Sequence, residues 1–208
     1  AGNLAYDEPG GAQFDRLGAL HREYRKLLPD KMFYVNLFPT YSSVAQRDGL
    51  TYKEYVDFYI EKVKPEFVSF DYYPLMSHAV EGNYIKEDFL HNIEIIATAS
   101  KNAGIPFWSF IQAMSFTTAG MTNREVDEAD IRWQVYANLA FGAQGIQYFC
   151  YWTPSEDGIA QFGDAMVDKQ GNKTDTYYAV KNVNNEILSF DHIYLNFKNI
   201  GVMRFPEN

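Results

Sequence analysis

Asp7-Glu8-Pro9, near the start of the chain, is the sharpest chemical signal in the sequence. It ends a short apolar run. Proline fixes its own φ and restricts the residue before it, so a carboxylate here sits on stiff backbone. That suits a general acid that protonates a leaving-group oxygen. Glu8 is the expected acid and Asp7 its orienting neighbour. The competing reading is that one of them caps the helix beginning near Gly11 or Ala12, where negative charge is favoured. A second carboxylate, Asp71, lies in Ser69-Phe70-Asp71-Tyr72-Tyr73-Pro74, flanked by aromatic rings that would strip water from it. Two carboxyl groups in unlike surroundings are what cleavage of a glycosidic bond requires. The competing reading for Asp71 is a structural group that accepts hydrogen bonds from loop backbone.

Other candidates would bind rather than react. Trp108, Trp152, Tyr72, Tyr73 and Tyr151 are expected platforms for the C–H faces of a sugar ring. Neighbours on a strand point opposite ways, so about half of them must face away from any such site. Asn36 and Gln112 offer amides that both donate and accept, fit for fixing a hydroxyl. His78, in a loop, is expected to be solvated, and His21 and His192 structural. Trp133, in mid-helix, is expected in the core. Cys150 falls within an apolar run, where a buried inert thiol is expected. No serine occupies a G-x-S-x-G elbow.

These residues must be held by regular elements. Apolar runs end in Leu4-Ala5-Tyr6, KMFYVNLF (31–38), FVSF (67–70), IPFWSFI (105–111) and GIQYFCYW (145–152). They are short, rich in β-branched and aromatic residues, and mostly bounded by Gly or Pro, as strands are. Near-continuous hydrophobicity marks strands buried on both faces. Helical spacing predicts helices over 13–28, 51–63, 88–103, 122–141 and 175–190. The first has a stripe of Phe14, Leu17, Leu20, Tyr24, Leu27 and Leu28. Thr51 with Glu54, and Thr122 with Glu125, read as capping boxes, and Gly104 as a C-terminal cap. Ala165-Met166-Val167 before Gly171-Asn172 reads as one side of a small hairpin.

Five successive β/α units imply a parallel sheet covered by helices. Either a doubly wound open sheet or part of a (β/α)8 barrel fits, and no G-x-G-x-x-G or phosphate loop follows any strand. Polar and aromatic residues sit at every strand's C-terminal end, which favours the barrel, where such ends share one mouth. Five strands cannot close a barrel of about eight. We therefore expect strands four to eight of a partial barrel over residues 1–195. Residues 196–208 would start a following β segment or linker, and the chain would be a piece of a longer protein.

Composition narrows the partners. With 18 Lys+Arg against 27 Asp+Glu the net charge is −9, which excludes a general nucleic-acid binder. No apolar run is long enough for a membrane helix. One cysteine cannot form an internal disulfide, and no Cys/His spacing suggests a metal, so no metal and no cofactor are expected. Aromatic residues make up 17%, an excess that fits either a large core or an aromatic-lined site.

From Tyr6-Asp7-Glu8-Pro9 to Asn184-Asn185-Glu186-Ile187 the sequence resembles the clan A glycoside hydrolases, which are (β/α)8 barrels. Members carry Asn-Glu, often followed by Pro, at the end of the fourth strand, and its glutamate is the acid/base; the resemblance maps that role onto Glu8. Ala165-Met166-Val167-Asp168, Gly171-Asn172-Lys173-Thr174, Tyr178 and Val183-Asn184-Asn185-Glu186 resemble the tail of β-galactosidase-like barrels. Phe149-Cys150-Tyr151-Trp152-Thr153-Pro154 resembles their eighth strand in an uncharacterised branch. The resemblance implies an oligo- or polysaccharide partner and a secreted or periplasmic location. Two positions depart from it. Asp7 stands where the clan has Asn. The clan's nucleophile, a Glu ending the seventh strand, has no counterpart in 105–114, where Gln112 is the nearest polar residue. The expectation is therefore a glycosidase with Glu8 as general acid/base and Asp71 as second carboxylate. The alternative is a carbohydrate-binding barrel that does not cleave.

Overall fold

The computed structural model describes residues 2–155 and 158–203. The expected β segment at the C-terminus falls partly on 204–208, outside the described residues. The chain divides into two compact units. One comprises Ala1–Asp71 with Leu90–Ser109, the other Tyr72–Phe89 with Phe110–Asn208.

The principal sheet is a curled parallel half-barrel of five strands: β1 (Gly2–Asp7), β2 (Met32–Leu37), β3 (Val68–Asp71), β6 (Phe107–Gln112) and β9 (Gly145–Phe149), in that spatial order. The parallel half-barrel agrees with the sequence expectation. The last strand is shorter than expected, ending at Phe149 rather than Trp152.

In the first unit, side chains alternate across β2. Phe33, Val35 and Leu37 are buried, while Tyr34 and Asn36 share the opposite face. Helix α1 (Phe14–Leu27) buries Phe14, Leu17, Gly18 and His21. Its stripe is narrower than expected: Leu20 and Leu27 are exposed, at 50% and 79%. Gly18 explains where that face goes. A Cβ there would lie 2.2 Å from the Lys62 carbonyl, so only glycine admits the end of helix α2 (Tyr52–Val63) so closely. Helix α2 begins as its sequence predicts. Thr51 Oγ1 accepts from Glu54 N, and the Glu54 carboxylate accepts from Thr51 N and Oγ1. Tyr52, Tyr55, Val56, Tyr59 and Val63 make its buried stripe. Helix α3 (Phe89–Ala103) ends at Gly104, whose φ of 71° supplies the left-handed cap.

The second unit holds a feature that hydrophobic patterning did not reveal. A five-stranded sheet runs β10-β7-β8-β4-β5, from β4 (Leu75–His78), β5 (Gly82–Ile85), β7 (Phe116–Thr118), β8 (Met121–Asn123) and β10 (Ala160–Phe162). Its strand pairings are antiparallel. The hairpin β7–β8 turns at Ala119-Gly120, both with positive φ, a two-residue turn whose twist matches the strands. This hairpin absorbs Thr122, so the expected helix start moves. Helix α4 covers Glu128–Ala140, capped by Asp127, which accepts from Asp130 N at 2.9 Å. Helix α5 (Asp175–Tyr194) closes the chain, with Val180 and Val183 in a core beside Ile131, Val135 and Leu139. Trp133, expected in the core, is 37% exposed with its ring on Phe89.

Candidate active site

The carboxylates of the first unit meet at the C-terminal ends of β1, β2 and β3. Register sets this up: Asp7 lies opposite Asn36, and Asn36 opposite Ser69. These three therefore stand side by side, and Asp71 follows two residues after Ser69 on the same face. Asn36 Nδ2 donates to Asp71 Oδ1 at 2.7 Å and to Asp7 Oδ1 at 3.3 Å. Both oxygens bond one nitrogen, so they are at most about 6 Å apart. The Asn36 side-chain carbonyl accepts from Ser69 Oγ at 3.0 Å, and Ser69 Oγ lies 2.5 Å from the Tyr34 hydroxyl. Asn36 and Ser69 are buried, so a chain of hydrogen bonds through Tyr34 and Ser69 fixes the amide that holds both aspartates.

Glu8 sits one residue beyond β1, half-buried, with φ of 49°. A left-handed backbone costs a residue with a Cβ roughly 1–3 kcal/mol and persists only where the surroundings impose it. They do so here. Glu8 N donates to Asn36 O at 2.9 Å, and the buried Tyr55 hydroxyl donates to Pro9 O at 2.7 Å. Among the described residues none donates a hydrogen bond to the Glu8 carboxyl. Burial, with Asp71 and Asp7 as negative neighbours, pushes its pKa from 4.5 to about 8. A carboxyl whose pKa is raised to about 8, beside two aspartates held by one amide, is suited to donate a proton near neutral pH.

Trp108 is the second residue of β6, its ring stacked on Phe67 at 4.4 Å and 24°. That is the entry end of the strand rather than the end where the carboxylates lie, so its expected role as a sugar platform there does not follow from its place.

In the second unit the expected binding residues separate into spoken-for and free surfaces. Tyr72 is fully buried, its hydroxyl bonded to Asp88 and its ring against Phe89, which corrects its reading as a platform. Tyr73 is half-buried, edge-on to Phe116 and tilted against Phe149. Gln112 is fully buried and its amide is occupied. Oε1 accepts from Leu75 N at 3.1 Å and Asn123 Nδ2 at 3.3 Å; Nε2 donates to Leu75 O and Arg124 O. Gln112 thus ties loop backbone together instead of offering an amide to a hydroxyl. Trp152 and Tyr151 are 52% and 59% exposed. Cys150 is half-buried, and burial pushes its thiol pKa up, as an inert thiol requires. Among the described residues no His/Cys/Asp/Glu cluster fits a metal ion.

Sequence reasoning passed over Tyr34, Ser69 and Tyr55. The first two were readable by alternation, each lying two residues before a named candidate. Tyr55, which reaches the turn after Glu8 from α2, left no such trace.

The family of glycoside hydrolases numbered 42, described as beta-galactosidase, matches residues 21–190. The chain belongs to that family. The match begins after Asp7-Glu8-Pro9 and covers Asn36 and Asp71. Among solved structures, the fold is similar to a polyextremophilic beta-galactosidase from the Antarctic haloarchaeon Halorubrum lacusprofundi. The TM-score is 0.59 at 15% identity, over 84% of this chain and 25% of that one. It is also similar to a beta-galactosidase from the psychrophilic Marinomonas ef1, with TM-score 0.56 at 12% identity, over 88% and 28%. A provisionally assigned alpha-L-fucosidase from Bacteroides thetaiotaomicron VPI-5482 gives 0.53 at 10% identity, over 87% and 54%. The chain thus spans a quarter to about half the length of these proteins, and at such identities the likeness is one of fold. No curated protein matches it.

Proposed function

We propose that this chain carries the acid/base half of a glycosidase site, with Glu8 as general acid/base and Asp71 as the second carboxylate. The observation that carries the reading is Glu8 itself: a strained, half-buried carboxyl with a pKa of about 8 beside Asp71, held on Asn36. Protonated Glu8 gives its proton to the glycosidic oxygen as the bond to the anomeric carbon breaks. Asp71 stabilises the positive charge that develops on the sugar ring. A water molecule then adds its oxygen to the anomeric carbon and gives a proton to the Glu8 carboxylate, which restores the acid. Asn36 orients Asp71, and Asp7 adds negative charge that helps keep the Glu8 proton in place. Membership of the family supports a β-galactoside as substrate, and the glutamate-proline turn supports β1 as strand four of a (β/α)8 barrel. Exposed Trp152 and Tyr151 are available to stack on a longer glycan.

The test is hydrolysis of an aryl β-galactoside by wild type, Glu8→Gln and Asp71→Asn. Each variant should lose at least about a hundredfold in kcat, as removal of an acid/base group does. In wild type, activity should fall as pH rises through about 8, where Glu8 gives up the proton it must donate. Undiminished turnover by Glu8→Gln would reject the assignment. A second reading is a barrel that binds glycan without cleaving it. It is favoured by β6, which has no carboxylate and whose Gln112 is occupied by backbone. That reading requires glycan binding without turnover, and affinity indifferent to Glu8→Gln.

A further inference from the structure

The turn that carries Glu8 is held from outside by the Thr40–Leu50 loop, which follows β2. Asp48 Oδ2 accepts from Ala12 N at 2.9 Å, across the 3-10 turn Gly11–Gln13. Two glycines, Gly10 and Gly11, let the loop come this close. A Cβ on Gly10 would lie 2.3 Å from Asp48 Oδ2 and 3.1 Å from Gln46 O, and one on Gly11 would lie 2.7 Å from Leu50 Cδ1. The loop in turn is locked by Arg47, only 5% exposed. Its guanidinium donates to Leu50 O at 3.2 Å, Thr40 O at 3.4 Å, Ser42 Oγ at 2.7 Å and Ser42 O. Asp48 has its own left-handed backbone, φ 57°. A buried arginine and two glycines are more than one helix-capping bond requires, and they converge on the segment that begins at Glu8.

We propose that Asp48 is a positioning residue for Glu8. By holding Ala12 and wedging against Gly10, it keeps the Pro9–Ala12 segment in the path that forces Glu8 into its left-handed conformation beside Asp71. Tyr55 holds the same segment at Pro9 O, so the turn is gripped from α2 and from the loop together. Among the described residues, Asp71 on β3 and Asp7 on β1 act on Glu8 by their charge, and Glu8 and Arg47 in turn act on Tyr55 of α2. The inference rests on the acid/base reading for its bearing on turnover, but its geometry is tested without turnover.

The experiment titrates the Glu8 side-chain carboxyl by 13C NMR in the full chain, for wild type, Asp48→Asn, Asp48→Ala and Gly10→Ala. Asp48→Asn removes the charge and keeps an acceptor for Ala12 N, so its midpoint should stay within about half a unit of wild type. Asp48→Ala and Gly10→Ala free or displace the turn and should lower the midpoint by at least about one unit, as Glu8 relaxes into water. A cap that only stabilises the helix would lower Tm in Asp48→Ala and leave the Glu8 midpoint in place, and that result overturns the proposal. So does an equal downward shift in Asp48→Asn, which would assign the effect to charge. Assayed with an aryl β-galactoside, Asp48→Ala and Gly10→Ala should lose kcat by about ten- to a hundredfold with little change in KM, while Asp48→Asn stays close to wild type. If Glu8→Gln keeps full activity while the titrations behave as expected, the acid/base reading fails and the positioning stands.

Discussion

Replacing Glu8 by glutamine should make the protein more stable at alkaline pH while removing its activity. The ordinary carboxyl pKa is 4.5, and in the folded chain Glu8 is pushed to about 8. Such a difference corresponds to roughly 5 kcal/mol between the two protonation states. Glu8 is half-buried rather than sealed, and solvent screening reduces this to about 2–3 kcal/mol. Below pH 4.5 Glu8 is protonated in both folded and unfolded chains and costs nothing. Between 4.5 and 8 the unfolded chain releases the proton while the folded chain keeps it, so stability falls as pH rises. Above about 8 the folded protein carries a charged carboxylate beside Asp71 and Asp7, and the deficit is complete. A glutamine in place of Glu8 would be neutral throughout, of similar shape, and free of that deficit. The assay is urea denaturation followed by tryptophan fluorescence at pH 4.5, 6.5 and 8.5. The other titrating groups are common to both proteins and largely cancel in the difference. Glu8→Gln should match wild type at 4.5 and exceed it by about 2–3 kcal/mol at 8.5, or about 5–10 °C in Tm. Equal stability at all three pH values would refute the claim that burial and like charge act on Glu8.

Two further outcomes follow from the same contacts. Asn36→Ala takes the donor from Asp71 and Asp7 and the acceptor from Ser69 Oγ; it should cost about 1–3 kcal/mol in thermal denaturation and lower kcat, and an unchanged Tm would count against the network. Trp152→Ala removes an exposed ring, so Tm should move by only about 1–2 °C while KM rises for oligosaccharide and not for a small aryl glycoside; a large Tm loss would make Trp152 a structural residue.

The parallel sheet and most helix boundaries were legible because period and caps agree locally. Thr51 and Glu54 close a capping box, Gly104 terminates α3, and apolar runs mark the strands. Burial on both faces was expected of all five strands, but β1 is mostly exposed and β9 is only partly buried. The antiparallel sheet was not legible. Its strands are three or four residues long, too short to show alternation, and the turn Ala119-Gly120 places alanine at a positive φ where glycine or asparagine would have signalled it. That one miss displaced the start of α4. At the site, residue type and position picked out Glu8, Asp71 and Asn36, which do come together. Type alone misled at Tyr72 and Gln112. An aromatic or an amide near a strand end looks the same whether its polar atoms face a ligand or the chain's own backbone, and only the three-dimensional partners decide.

The position of Gln112 bears on what a complete site would need. If β1 is read as strand four, the resemblance to the clan would put a carboxylate nucleophile at the end of β6. The nearest polar residue there, Gln112, is a neutral amide whose oxygen and nitrogen are engaged by Leu75, Asn123 and Arg124. Changing Gln112 to glutamate would put a carboxylate against the Leu75 and Arg124 carbonyls, where it cannot donate, so the site cannot be restored by that exchange without breaking the loop. On the proposed reading the second carboxylate therefore comes from another strand. Asp71 has what the role demands: an oxygen at 2.7 Å from a buried, oriented amide, and a protonated acid as its electrostatic neighbour. On this argument Asp71→Asn and Glu8→Gln should each abolish turnover, while Gln112→Glu should lower stability and gain no activity. A Gln112→Glu variant that hydrolyses an aryl β-galactoside faster than wild type would refute the claim that the contacts of Gln112 with loop backbone bar a working carboxylate from its position.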